Sequence, residues 1–125
     1  ACTDVTGFGL LGHALEMAKG SGVGIRINAK DVPILPRVRE LAEDGFVPGG
    51  TKNNFAHVQD SITFPEHLDQ VGQWILCDAV TSGGLLISVE GGQAEELLSK
   101  LKQSGVEAAI IGETVTDHPG RIVVQ

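Results

Sequence analysis

Residues 3–28 read TDVTGFGLLGHALEMAKGSGVGIRIN, and three kinds of local physics follow one another in them. Thr3 to Gly9 is polar and glycine-bearing and reads as a loop. From Leu10 the apolar residues Leu10, Leu11, Ala14, Leu15, Met17 and Ala18 recur at three- and four-residue spacing, with His13, Glu16 and Lys19 between them. That pattern predicts an amphipathic helix of roughly three turns, ended by Gly20 and Gly22. Val23 to Asn28 then alternates, with Val23, Ile25 and Ile27 on one face, as a half-buried strand does. Helix and strand interleave from the start, so the fold class expected is α+β, a mixed sheet layered with helices.

The rest of the chain extends this reading. Leu35 to Glu43 predicts a short helix with Val38, Leu41 and Ala42 inward and Gly45 beyond its end. Residues 46–64 carry Pro48, Gly49, Gly50, Thr51, Asn53 and Asn54 and read as a long connection, a length commonly functional. Pro65 to Trp74 reads as another short helix, because proline suits a first helical turn. Cys77 to Gly84 is a polar, glycine-bearing turn, and Leu85 to Val89 a short buried strand. Gln93 to Gln103 gives the clearest helix, with Ala94, Leu97, Leu98 and Leu101 inside and the favourable pair Glu96–Lys100 outside. Ala108 to Val115 and Arg121 to Val124 are terminal strands joined by the turn Asp117–Gly120.

Composition narrows the function classes. The 125 residues are 42% hydrophobic, and 17 glycines raise the apolar-plus-glycine share to about 56%, above the roughly 45–50% usual for globular domains. Such a chain offsets its conformational entropy by burial, which excludes disorder. No apolar run approaches the roughly 20 residues that span a bilayer, so no membrane partner is expected. Nine Lys and Arg against 16 Asp and Glu give a net charge of −7, a field that repels nucleic-acid phosphates. Cys2 and Cys77 form no CxxC pair, and the four histidines lack metal-ligand spacing. Reduced thiols in a cytoplasmic protein are expected. The chain opens without Met, and its densest glycine motif starts at the third residue, where chain ends usually fray. Residues 1–125 are therefore expected to be one domain cut from a longer polypeptide.

Three glycine-rich stretches are candidates for chemistry. In the first, Asp4 of Thr3-Asp4-Val5-Thr6-Gly7-Phe8-Gly9 suits a Mg²⁺ ligand, since hard cations take oxygen, with Gly7 and Gly9 letting the backbone approach a ligand. The commoner role for Asp4 or Thr6 there is the helix N-cap. In the second, Gly49-Gly50-Thr51, with Asn54 three residues on, can cradle an anion, or Thr51 can simply cap a short helix. In the third, Thr81 and Ser82 can donate to an oxyanion beside Gly83 and Gly84, or form a plain polar turn. There is no P-loop and no nucleophile–base pair. His13 falls on the polar flank of its helix and reads as a surface histidine; Trp74 reads as core.

In this order, the stretches TDVTGFGLLGH (3–13), GGTKNN (49–54) and TSGGLL (81–86) resemble the C-terminal domain of the selenophosphate synthetase (selenide, water dikinase) family. That family lies within the wider group of aminoimidazole ribonucleotide synthetase-like enzymes. The likeness covers essentially the whole chain. One departure stands out: the family commonly carries Asp-Pro-Gln before Thr-Ser-Gly-Gly, where this chain has Asp78-Ala79-Val80. Losing proline frees φ at that turn, and losing glutamine removes a polar side chain.

The resemblance implies an enzyme that converts selenide, ATP and water to selenophosphate, AMP and phosphate with Mg²⁺. It makes Asp4 a metal ligand reaching across a domain cleft, and Thr3, Gly7, Gly50, Thr51, Thr81, Ser82 and Gly83 the contacts to the nucleotide. ATP is held mainly by an N-terminal domain of the same polypeptide, and the full-length enzyme is a homodimer. The reactive cysteine or selenocysteine belongs to that N-terminal domain, so no catalytic residue falls on Cys2 or Cys77, and residues 1–125 alone are expected to be inactive. Two other readings stay open: another ATP-dependent synthetase or kinase of the same superfamily, and a non-catalytic interaction module.

Overall fold

Leu11, Ala14, Leu15 and Ala18 place one face of the helix α1 (Gly9–Ser21) at the centre of the core in the computed structural model, which describes residues 1–125. Burying a leucine completely, as at Leu11, contributes about 1.5–3 kcal/mol relative to leaving it in water. The helix ends as expected. Gly22 adopts φ 65°, its N–H reaches the carbonyl of Lys19, and the Val23 N–H reaches Ala18. This left-handed closure satisfies carbonyls that the helix leaves unpaired.

Turning back at Gly22 delivers β2 (Gly24–Ile27), after β1 (Cys2–Asp4), into a four-stranded sheet. Its other strands are β3 (Ile62–Thr63), β5 (Gly112–Val115) and β6 (Ile122–Val124). Their order is β3-β6-β2-β5, with β2 parallel to β6 and antiparallel to β5. Ile27, Ile62, Ile122 and Val124 present the buried face. Arg26 points the other way and pairs with Glu113 at 2.6 Å and Asp117 at 3.7 Å. The helix α1 packs across β2 and β6 and is covered in turn by α3 (Gly49–Val58) and α4 (Gln70–Leu76), while α2 (Val38–Glu43) lies on α4. A separate ribbon pairs β1 antiparallel to β4 (Leu85–Ile87), Asp4 standing opposite Leu85. The helix α5 (Gly91–Gln103) follows it. The class is α+β, with helices layered on a mixed sheet, as expected. No helix is long and apolar enough to cross a membrane.

Several expectations are overturned. The connection across residues 46–64 holds the ten-residue helix α3, a 3₁₀ turn at Gln59–Ser61 and β3. Thr51, Phe55 and Val58 form its inward stripe at helical spacing, with Thr51 and Val58 buried. The helix expected from Pro65 starts at Gln70 instead. Asp69 caps it by accepting the Gly72 N–H at 2.9 Å, while Pro65 only opens a turn closed by Leu68. Leu85 to Val89 is not a buried strand, since Leu85 is 66% exposed. It lies in a two-stranded ribbon that packs Leu86 against the core and leaves Leu85 and Ile87 on its outer face. Leu41 faces solvent, and in the short α2 only Ala42 is buried. The strands β5 and β6 are joined by the 117–120 turn but do not pair, because β2 runs between them. In α5 the stripe Ala94, Leu97, Leu98 and Leu101 is half-buried, and Glu96 and Lys100 pair at 2.6 Å.

Candidate functional site

Backbone hydrogen bonds bring the first and third glycine stretches together. The Val5 N–H donates to Gly84 at 2.9 Å, the Gly83 N–H to Val5 at 3.0 Å, and the Val80 N–H to Thr6 at 3.2 Å. The first loop is thus laid along the third as a continuation of the β1–β4 ribbon. Gly9 completes the approach at φ 70°: a Cβ on it would lie 2.6 Å from the Asp78 carbonyl oxygen and 2.7 Å from that of Cys77. Glycine is the residue that reaches both this backbone angle and this separation.

The second stretch arrives on α3. Asn54 donates from Nδ2 to the Gly7 carbonyl at 2.8 Å and to the Cys77 carbonyl at 3.0 Å. One turn earlier, the Thr51 hydroxyl donates to the Asp78 carboxylate and accepts the Ala79 N–H at 3.4 Å. Gly50 stands against Ala79. Lys52 turns away, its Nζ 5.2 Å from the centre of the Trp74 ring.

Asp4 is exposed at the end of β1, and its carboxylate has no hydrogen-bond or ion-pair partner. It does not cap α1, and neither does Thr6. Phe8 holds the cap position without a side-chain bond, so the N-terminus of α1 carries no side-chain acceptor. The same is true of α3, which begins at Gly49 behind Pro48. Both helices start at the joined loops, with N–H groups that lack intrahelical acceptors and partial positive charge. Thr3 is half-buried, its hydroxyl 3.4 Å from the Asp4 carbonyl. Thr81, Ser82 and Gly83 are exposed, as are Gly7 and Gly50. The hydroxyl of Thr51 is engaged within the chain, and the Gly83 N–H is engaged by Val5. No group of three or more His, Cys, Asp or Glu side chains is placed to hold a metal ion.

His13 is not a surface histidine. It is buried, with Nε2 3.1 Å from the Thr6 hydroxyl and Nδ1 3.1 Å from Glu16 Oε2. A carboxylate only accepts, so Nδ1 donates to Glu16, which leaves Nε2 facing the Thr6 hydroxyl. The Phe8 ring lies tilted 5.6 Å away. The Glu16 partner, three residues on in the same helix, was legible in the sequence, whereas Thr6 comes from the loop before the helix. Cys77 lies fully buried beneath the joined loops, and burial pushes its thiol up to about 12. It is not a nucleophile at neutral pH.

Over residues 1–125 the chain matches the family described as AIR synthase related protein, C-terminal domain. Among curated proteins it is similar to a selenide, water dikinase of Myxococcus xanthus, 50% identical over 99% of this chain and 35% of that protein. Another, from Pelobacter propionicus, is 46% identical over 100% of this chain and 36% of its own length. A third, from Clostridioides difficile, is 48% identical over 90% and 33%. The chain spans about a third of the length of these relatives. With three glycine loops drawn to one seam and a family match over every residue, the chain belongs to the AIR synthase related protein C-terminal domain family.

Proposed function

We propose that this chain is the C-terminal domain of a selenophosphate synthetase, which makes selenophosphate, AMP and phosphate from selenide, ATP and water. The observation that carries the reading is Asp4: an exposed carboxylate with no partner, at the seam of three glycine loops, in a chain whose relatives are named selenide, water dikinase. A Mg²⁺ ion on the phosphates of ATP neutralises their charge and polarises the bond being broken.

The residues present fit such a group. Asp4 supplies one hard oxygen to the metal, and the uncapped N-termini of α1 and α3 offer backbone N–H groups toward an anion. Thr3, Gly7, Gly50, Thr81, Ser82 and Gly83 line the nucleotide side of the seam in this reading. Thr51 contributes by bracing Asp78, which engages its hydroxyl within the chain and not on the nucleotide. One carboxylate on a chain of net charge −7 does not hold Mg²⁺·ATP by itself. The reading therefore assigns most of the nucleotide site, and the reactive cysteine or selenocysteine, to an N-terminal domain in the remaining two thirds of the polypeptide. It also takes the enzyme to be a cytoplasmic homodimer. The exposed Leu85 and Ile87 on the ribbon suit contact with that N-terminal domain.

The test is Asp4→Asn in the full-length protein. Selenide-dependent ATP consumption is expected to be lost with the melting temperature unchanged, and retained turnover overturns the assignment.

A further inference from the structure

We infer that Asn54 is a positioning residue that fixes the second glycine loop against the other two; the inference rests on the site proposed above. The first and third loops are already joined by their own backbone, through Val5, Thr6, Val80, Gly83 and Gly84. The second loop is the N-terminus of α3 and shares no ladder with them. Asn54 supplies the connection, because both hydrogens of its planar amide are used, one on the Gly7 carbonyl at 2.8 Å and one on the Cys77 carbonyl at 3.0 Å. Gly7 and Cys77 belong to different loops, so a single rigid amide sets α3 against both at once.

The chemistry selects asparagine. Aspartate has no hydrogens to donate and would set a negative charge against two carbonyl oxygens. Leucine keeps the shape and loses both bonds. The Thr51–Asp78 bond, one turn earlier on α3, holds the same helix to the third loop only. Without Asn54, α3 keeps that tether but loses its connection to the first loop, and the Gly49–Gly50 N–H groups lose their fixed position relative to Asp4. Binding of the phosphates is then weakened in ground and transition state alike, which raises KM and spares kcat.

The experiment uses the full-length enzyme with Asn54→Leu and Asn54→Ser, the latter keeping one donor. Val58→Ala, a buried position on the same helix away from the loops, serves as a control for simple destabilisation. Asn54→Leu is expected to raise KM for Mg²⁺·ATP about tenfold, within the range that two lost hydrogen bonds allow. The value of kcat is expected to stay within about threefold, Asn54→Ser to fall between, and Val58→Ala to leave both constants unchanged. In the nucleotide-free enzyme, amide hydrogen exchange at Thr51 and Lys52, whose N–H groups bond the Pro48 carbonyl, is expected to quicken in Asn54→Leu but not in Val58→Ala. If Asn54→Leu shifts KM no more than Val58→Ala does, or leaves that exchange unchanged, the inference is overturned. If Asn54→Leu does not fold, Asn54→Ser decides by the same two readouts. Full activity in Asp4→Asn would sink the underlying site instead, and so separates the two failures.

Discussion

The hydroxyl of Thr51 donates to the carboxylate of Asp78, 27 residues further along the chain, and its oxygen also accepts the Ala79 N–H. Thr51 is 1% exposed and Asp78 half-buried, so the donor of this polar pair has no water to turn to. Thr51→Val keeps the volume and removes the donor. It is expected to cost about 1.5–3 kcal/mol, as for a hydrogen bond to a charged group, in urea unfolding followed by circular dichroism. Thr51→Ser should recover most of the loss. A Thr51→Val variant as stable as the parent would show that the pair contributes nothing net.

Gly9 and Gly7 are two residues apart and should respond oppositely to alanine. Gly9→Ala forces a Cβ to 2.6 Å from a backbone carbonyl at φ 70°, and more than about 2 kcal/mol of destabilisation is expected. At Gly7 a Cβ meets nothing within 4 Å, and the same change should fall within about 0.5 kcal/mol. Paired thermal melts measure both.

The two cysteines should separate kinetically. Cys2 is exposed and Cys77 fully buried, so Ellman's reagent is expected to titrate one thiol quickly in the native protein and both in denaturant. Burial holds the Cys77 thiol up at about 12. Between the ordinary thiol range and that value the folded state binds a proton that the unfolded state has released, so stability falls as pH rises through this window. Cys77→Ala should flatten that alkaline slope.

Asp69 acts in the opposite direction on the acid side. The guanidinium of Arg39 and the Gly72 N–H hold its carboxyl below the usual carboxylate range. The folded state then binds fewer protons than the unfolded chain, so this contribution is present above the ordinary range and is lost as pH falls through the lowered value. Asp69→Asn should lower the melting temperature at neutral pH and reduce its dependence on pH below about 4. An unchanged acid limb would remove Asp69 from the account.

The parts of the fold that the residues spelled out in advance are those whose pattern is local. The stripes of α1 and α5 needed only helical periodicity and a glycine stop. The helix α3 did not declare itself, because Gly49, Gly50, Asn53 and Asn54 are poor helix formers. Its buried stripe also includes Thr51, a polar residue made tolerable inside by Asp78. That partner lies too far along the chain for any window to see. Asp69 was the overlooked start signal of α4, outweighed by Pro65. The three loops of the candidate site were recognisable as motifs, but their joining was not. It depends on Asn54, Thr51 and Gly9 meeting carbonyl and carboxylate groups of residues 7, 77 and 78. His13 was misplaced for the same reason, since the Thr6 hydroxyl that makes its burial tolerable comes from the preceding loop.

The placement of β6 governs when this molecule can assume its shape. Ile122 to Val124 lies between β2 and β3, in register with Ile25–Ile27 on one side and Ile62–Thr63 on the other. A nascent polypeptide leaving the ribosome can pair β2 with β5 but cannot join β3 to them until residue 124 has emerged. During that interval the apolar face of α1 lies open to chaperones and proteases. Ribosome-stalled chains ending before Ile122 should be digested rapidly, and those carrying Val124 clear of the exit tunnel should resist.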